Sequence, residues 1–391
     1  MIPRDPHEGE RAATTLELLF DLCFVVAIAL AARELHHSFM EAHFGQGVLS
    51  FVLVFFAIWW AWMGFTWFAS AFDNNDTPYR IAVLIQMVGV LVLAAGVPTA
   101  SHTDDFTVMT YGYAIMRVGL VALLVRAAKV GGKFAGTALK FAIGIVICQI
   151  GWISLLYIPL PEGSRIIGWG VLVPAELAVP VWATRKVALP FHPHHIAERY
   201  GLLTIIVVGE SVLAATLAIQ AALEAGGIGV SLGCVIIGAP LIMFSMWWLY
   251  FLMPSAGLVT TTKRAFTWGY GHLPIFMSAA TVGASLAIAA DHTSGSGHAS
   301  DVAVGLVLGV SVAVFLLSVW VVQILPHRPA SILSGAFLVT ALAAILAAWT
   351  PWPTLAIGLL LALLVASAVL ATQRGWFKTL GPQTAETLAS Q

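Results

Sequence analysis

Glu17 and Asp21 are carboxylates four positions apart inside an apolar run, so on a helix they share one face. Other strongly polar groups interrupt apolar stretches farther along: Gln86, Arg117, Gln149, Glu176, Glu210 and His272. Near the centre of a bilayer such a group costs about 2.5–3.5 kcal/mol, so it normally faces protein or water. Arg117 is always charged and must find a carboxylate. Asp21, Glu176 and Glu210 are its candidates, and the spacing does not choose among them. Glu17 begins its run and can reach the headgroups, whereas Asp21 is roughly 6 Å deeper at ~1.5 Å per residue. Glu210 lies about halfway along Tyr200–Ala222, where a carboxylate titrates, pairs with a cation or binds one. The plainer reading is a satisfied inter-helix hydrogen bond. Glu176 stands between Pro174 and Pro180, which free backbone carbonyls for other donors or for a polar cavity. His272 sits in Trp268-Gly269-Tyr270-Gly271-His272-Leu273-Pro274, dense in helix breakers. These are the residue types of an ion or proton path.

The elements that position them follow from composition. Of 391 residues, 60% are hydrophobic and 9% charged, against about 25% charged in soluble chains. So little charge cannot cover a water-facing surface of this size, so much of the surface faces lipid. The net charge of −1 favours neither nucleic acid nor an acidic partner. About 20 apolar residues cross the hydrocarbon as a helix, and twelve stretches qualify: 15–33, 48–68, 80–98, 108–126, 138–158, 166–183, 200–222, 229–252, 266–290, 302–324, 330–348 and 355–372. The runs lack the alternation of barrel strands, which makes this an all-α, polytopic helical bundle.

Basic residues test the count, because cytoplasmic loops collect Lys and Arg. With the N-terminus inside, fifteen of the 18 basic residues fall in inside segments and two, Arg33 and Arg165, outside, with Arg117 within a span. This pattern predicts a multi-pass membrane protein with both termini cytoplasmic. The first run lacks a small-residue cleavage site and reads as a retained span. The chain then divides into a cytoplasmic segment 1–14, a first half 15–183, a connecting segment 184–199, a second half 200–372 and a tail 373–391. Trp59-Trp60-Ala61-Trp62 ends the second span and Trp247-Trp248-Leu249-Tyr250-Phe251 the eighth, which suggests two parallel six-helix repeats. Tryptophan's preference for the membrane interface explains the same likeness without a repeat.

Other groups carry weaker signals. Cys23, Cys148 and Cys234 lie in apolar runs with no disulfide or metal spacing. Outside loops hold His36, His37, His43, His102, His292 and His298 with Asp104, Asp105, Asp291 and Asp301, read as solvent groups or as a metal- or pH-sensing surface. His192-Pro193-His194-His195 reads as a polar turn, with proline interrupting helical ligand spacing. No metal, cofactor or catalytic motif is expected: phosphate-binding loops, H-E-x-x-H and nucleophile elbows are missing from the sequence.

Several blocks resemble a known family. Thr15-Leu16-Glu17-Leu18-Leu19-Phe20-Asp21-Leu22-Cys23-Phe24-Val25-Val26-Ala27 is similar to the opening of bacterial low-temperature-requirement A (LtrA) proteins. His195-Ile196-Ala197-Glu198-Arg199-Tyr200-Gly201-Leu202 through Gly209-Glu210-Ser211 resembles that family's second signature, and Trp268-Gly269-Tyr270-Gly271-His272 its ninth-span motif. The blocks occur in the family's order over nearly the whole chain. The resemblance implies a multi-pass bacterial plasma membrane protein named for growth in the cold, and supplies no substrate. Its middle motif suggests that Glu198 and Arg199 form a cytoplasmic-end ion pair or gate. The first span also resembles, more weakly, that of a potassium channel family built from six-helix repeats, as an analogy of architecture alone.

The leading expectation is a gradient-driven transporter or ion-coupled permease. Asp21 and Glu210 would carry a proton or cation, Arg117 would modulate their charge, and Glu17, Gln86, Glu176 and His272 are further path candidates. A channel-like pore is the first alternative. A membrane enzyme using Glu198, Glu210 and His272 as acid and base groups, or a structural or sensory protein, completes the set. The expected partners are the lipid bilayer and a small solute or ion, with no nucleic acid; an oligomer is compatible with the composition.

Overall fold

The computed structural model describes residues 2–4, 12–159, 161, 164–226, 229–295, 299–327 and 331–374. Glu8, Glu10, Arg11, His298, Arg328 and Lys378 lie outside them. Among the described residues, twelve helical segments are long and apolar enough to cross a membrane. The helices are α1 (Thr15–Met40), α2 (Phe44–Ala71), α3 (Thr77–Ala95), α4 (Val97–Thr103), α5 (Thr107–Val130), α6 (Ala135–Tyr157), α7 (Arg165–Ala183), α8 (Pro193–Gly226), α9 (Val230–Tyr250), α10 (Thr262–Thr293), α11 (Asp301–Val319), α12 (Ser331–Leu346) and α13 (Pro353–Gln373). α3 and α4 form one span, broken at Gly96. A Cβ there would lie 2.7 Å from the Met109 nitrogen, so the break lets α5 approach. A two-residue antiparallel pair, β1 (Ile2–Pro3) with β2 (Phe72–Asp73), is the only strand structure described.

Local chemistry starts the helices. Thr14 and Glu17 form a capping box: the Thr14 N–H donates to Glu17 Oε2 at 2.7 Å, and the Glu17 N–H donates to Thr14 Oγ1 at 3.3 Å. Asp76, Thr261 and Ser300 cap α3, α10 and α11 by accepting the N–H of Tyr79, Arg264 and Ala303. α8 starts at Pro193, well before the Tyr200 boundary expected from hydropathy. Proline is suited to a first helical turn, where its missing N–H would be unpaired anyway. His195, Glu198 and Arg199 are therefore helical, and Pro193 opens their helix instead of interrupting it.

The chain packs as two compact units. The first comprises Met1–Leu30 and Leu53–Arg199, the second Ala31–Val52 and Tyr200–Gln391. Residues 31–52 thus pack with the second unit although they precede the connecting segment. Each unit turns apolar side chains outward: Leu19, Leu22, Val88 and Leu91 in the first, Ile332, Val339 and Leu363 in the second, all about half exposed or more. Such a surface suits lipid.

Small residues let helices meet closely. In the first unit α3 crosses α5 at Gly89 and Gly112, where a Cβ on Gly89 would lie 2.7 Å from the Gly112 oxygen. In the second, Gly305 and Gly309 of α11 face Ala348 and Ala344, and Gly238 of α9 meets Gly358 of α13.

Candidate functional site

At the start of α1, Glu17 and Asp21 project from one face, and in α8 His195 and Arg199 have the same four-residue spacing. The two pairs meet as a ladder. Arg199 Nη2 and Nε donate to the Asp21 oxygens at 2.5 and 3.1 Å. Arg199 Nη1 lies 3.4 Å from Glu17 Oε1, and His195 Nε2 lies 3.2 Å from the same oxygen. The second of these is within ion-pair distance but is not aligned as a hydrogen bond. Trp62 Nε1 donates to Asp21 Oδ1 at 2.7 Å. All four ladder side chains are at most 1% exposed. Two carboxylates and one guanidinium leave a formal charge of −1 when His195 is neutral; a proton on His195 balances it. An unbalanced charge in so dry a place is costly, so proton occupancy and packing are coupled here.

The expected pairing of Glu198 with Arg199 is replaced by separate partners. Arg199 turns to Asp21 and Glu17, while Glu198 Oε1 accepts the Ala13 N–H at 3.2 Å. Adjacent residues on a helix point about 100° apart, which favours different neighbours. Glu17, for which headgroup contact was the plain reading, is buried.

A second ionic group of the same unit joins α2, α5, α6 and α7. Glu176 Oε2 accepts from Trp60 Nε1 at 2.6 Å and lies 3.4 Å from Arg117 Nη2. Its Oε1 accepts from Tyr113 OH and Trp152 Nε1, both at 3.2 Å. Arg117 also donates to the Tyr113 hydroxyl and lies over that ring, 4.5 Å from its centroid. Glu176 is thus the carboxylate that Arg117 takes. Gly64 makes the room: a Cβ there would lie 3.0 Å from Arg117 Nη1. Gln86 donates to the Ala82 carbonyl of its own helix at 3.4 Å and packs against Gly119, which gives it a packing place. Gln149 is buried with both amide atoms unpartnered.

Trp60 and Trp62, for which interface placement was the alternative to a repeat, are almost fully buried and donate to intramembrane carboxylates. Positions two apart on a helix point about 200° apart, so the two ionic groups lie on opposite sides of α2. Asp21 and Arg117 therefore do not share one centre. Tyr113, Trp152 and His195 were not singled out as site residues. The available signal was the need of each buried carboxylate for donors, which apolar patterning does not register.

In the second unit His272 is fully buried. Its Nδ1 lies 2.7 Å from the Trp268 carbonyl of the preceding turn, so that nitrogen carries the proton. Nε2 then accepts from Tyr250 OH at 3.0 Å. Tyr200, Trp268 and Phe276 ring the imidazole, Trp268 at 4.0 Å between centroids. Nearby polar chemistry continues at a π-helical turn, Trp320–Ile324, where Gln323 accepts from Ser255 at 2.7 Å. Glu210 is only half-buried, and Arg33 is the charge that attracts it. Among the described residues no hydrogen bond reaches its carboxylate, so the satisfied inter-helix hydrogen bond that is the plainer reading is not formed. Four of the loop histidines have acidic partners: His36 with Asp291 at 2.8 Å, His37 and His43 with Glu41 at 3.7 and 3.6 Å, and His292 with Asp301 at 2.6 Å. Among the described residues no three His, Cys, Asp or Glu side chains gather in a metal-binding group.

An uncharacterized protein of Rhizobium meliloti (strain 1021), RA0937, is 26% identical over 292 residues, covering 70% of this chain and 68% of the relative. Residues 12–370 match the family described as Bacterial low temperature requirement A protein (LtrA). That span includes both ionic groups and all twelve membrane-length segments but the last residues of the final one, and the chain belongs to the LtrA family of multi-pass membrane proteins.

Proposed function

We propose that this protein is a gradient-driven, proton-coupled permease of the bacterial plasma membrane, with both termini in the cytoplasm. The observation that carries the reading is the buried ladder Glu17–Asp21–His195–Arg199, whose formal charge is balanced by one proton. Losing that proton leaves an uncompensated negative charge among helices, and a second arrangement of α1 against α8 relieves it by admitting water or a cation. His195 is the proton carrier in this reading, because its imidazole, 3.2 Å from Glu17 Oε1, can take up or release a proton beside the carboxylates. Arg199 positions both carboxylates and keeps its charge throughout. Arg117 and Glu176, paired with each other and with Trp60, Tyr113 and Trp152, serve as structural ballast on the far side of α2. Glu210 and His272 are secondary path residues in this reading.

Reconstitution in liposomes with an internal pH-sensitive dye tests it. An imposed potential should drive proton flux through the intact protein. His195→Gln and Asp21→Asn should each lower that flux about tenfold or more while the protein stays monodisperse. Absence of flux in the intact protein, or full flux in both variants, overturns the reading. Lowered melting temperature with unchanged flux would make the ladder a helix staple.

A further inference from the structure

The first unit holds a cavity of about 30 Å³ beside the Arg117–Glu176 group. Its wall is aromatic: Phe56 from α2, Phe106 and Tyr113 at the start of α5, Trp152 from α6 and Trp169 from α7. Trp169 meets Trp152 edge to face at 4.6 Å and Phe106 at 5.2 Å. Neither a cationic nor an anionic side chain lines it. Tyr113 and Trp152, two of its walls, donate to the Glu176 carboxylate from their polar ends. Phe106 and Trp169 are partly exposed and form the open side. Asp104 and Asp105, both exposed, immediately precede Phe106. The Thr107 hydroxyl and N–H hold the Asp105 carboxyl below the usual carboxylate range, so it stays anionic, with Arg165 as the opposing charge nearby.

We propose that this cavity binds a small organic cation of the alkylammonium class. Ring faces carry negative charge density, and indole is the strongest of them toward a cation. Donation of the Trp152 N–H to a carboxylate pushes electron density into that ring and deepens the attraction, while the Tyr113 ring already carries Arg117 over one face. The ring faces and the exposed aspartates that precede Phe106 disfavour an anion. A purely apolar ligand gains nothing from either. Arg117 balances Glu176 and stands outside the wall, so the bound cation meets a neutral base and no opposing charge in the cavity. The volume sets the size: one water needs about 10–15 Å³, so the cavity takes an ammonium or methylammonium group. A larger head requires the Trp169 ring to swing outward. This site goes beyond the proton-coupled reading and does not rest on it, since binding is measured without flux.

The test is ligand-observed NMR on the full chain in detergent, following the methyl resonance of methylammonium chloride at constant ionic strength. Ethanol serves as the neutral molecule of similar size. The expected result is saturable broadening for methylammonium in the millimolar range and none for ethanol. Trp169→Ala should weaken binding about tenfold and Trp169→Phe, which keeps a ring, by less. Should Trp169→Ala fail to fold, Phe106→Leu at the open side carries the same expectation of weakened binding. No saturable binding by the intact protein, equal binding of ethanol, or full affinity in a folded Trp169→Ala or Phe106→Leu protein overturns the proposal. Loss of proton flux in the ladder variants bears on the permease reading alone.

Discussion

Asp21 and Arg199, 178 positions apart in the chain, join through two hydrogen bonds of 2.5 and 3.1 Å with neither side chain exposed. A fork-shaped guanidinium satisfies both carboxylate oxygens at once, which an ammonium cannot do. Removing one partner strands the other without solvent. Arg199→Gln should therefore destabilise the protein by about 3–5 kcal/mol. Arg199→Lys should recover part of that, because charge remains while the second hydrogen bond is lost. Thermal unfolding in detergent checks both, and the double variant with Asp21→Asn should cost clearly less than the sum of the single changes.

Trp60 and Trp62 offer a second test, since each gives its indole N–H to a different carboxylate. Replacement by Phe keeps most of the ring but removes the donor. Each substitution should cost about 1–3 kcal/mol through a less satisfied buried oxygen. Because the residues serve groups on opposite sides of α2, their effects should add within about 0.5 kcal/mol. Marked non-additivity in the melting data would show that the two ionic groups are coupled.

Asp76 sits between α2 and α3, outside the spans. Its hydrogen bonds from Arg126 hold its carboxyl well below the usual carboxylate range, helped by the Tyr79 N–H. A depressed carboxyl contributes stability above the ordinary Asp value of about 3.9 and loses it as pH falls toward the lowered value. Melting temperature should thus exceed that of Asp76→Asn near neutral pH, and the gap should narrow as pH falls below the ordinary Asp value. The pair is partly exposed, so the gap is small and narrows further in high salt.

Gly89 and Gly112 set the distance between α3 and α5. Gly89→Ala places a methyl 2.6 Å from the Met116 Cγ and 2.7 Å from the Gly112 oxygen. Backbone at that contact cannot rotate away, so the helices must separate, at a cost of about 1–3 kcal/mol. Gly136→Ala, with open space around it, should be close to neutral in the same unfolding assay.

Much of this molecule was legible as sequence. Apolar length marked all twelve spans, and the four-residue spacing placed Glu17 and Asp21 on one face. The blocks around Asp21, Arg199 and His272 pointed to the family that the match over residues 12–370 establishes. Boundaries were less legible where local chemistry extends a helix beyond its apolar run, as Pro193 does for α8.

Tertiary structure alone decided who pairs with whom. Arg117 had several candidate carboxylates and takes Glu176; Asp21 takes Arg199, whose nearest acidic neighbour in sequence, Glu198, bonds elsewhere. Trp60 and Trp62, for which interface placement was one reading, proved to be buried donors. The physical reason is a difference of range. Apolar length and capping act within one helix and are written in consecutive residues. A buried charge is satisfied only by whichever neighbouring helix stands within about 3 Å, and that choice depends on how close-packed helices pass one another, which no single segment records.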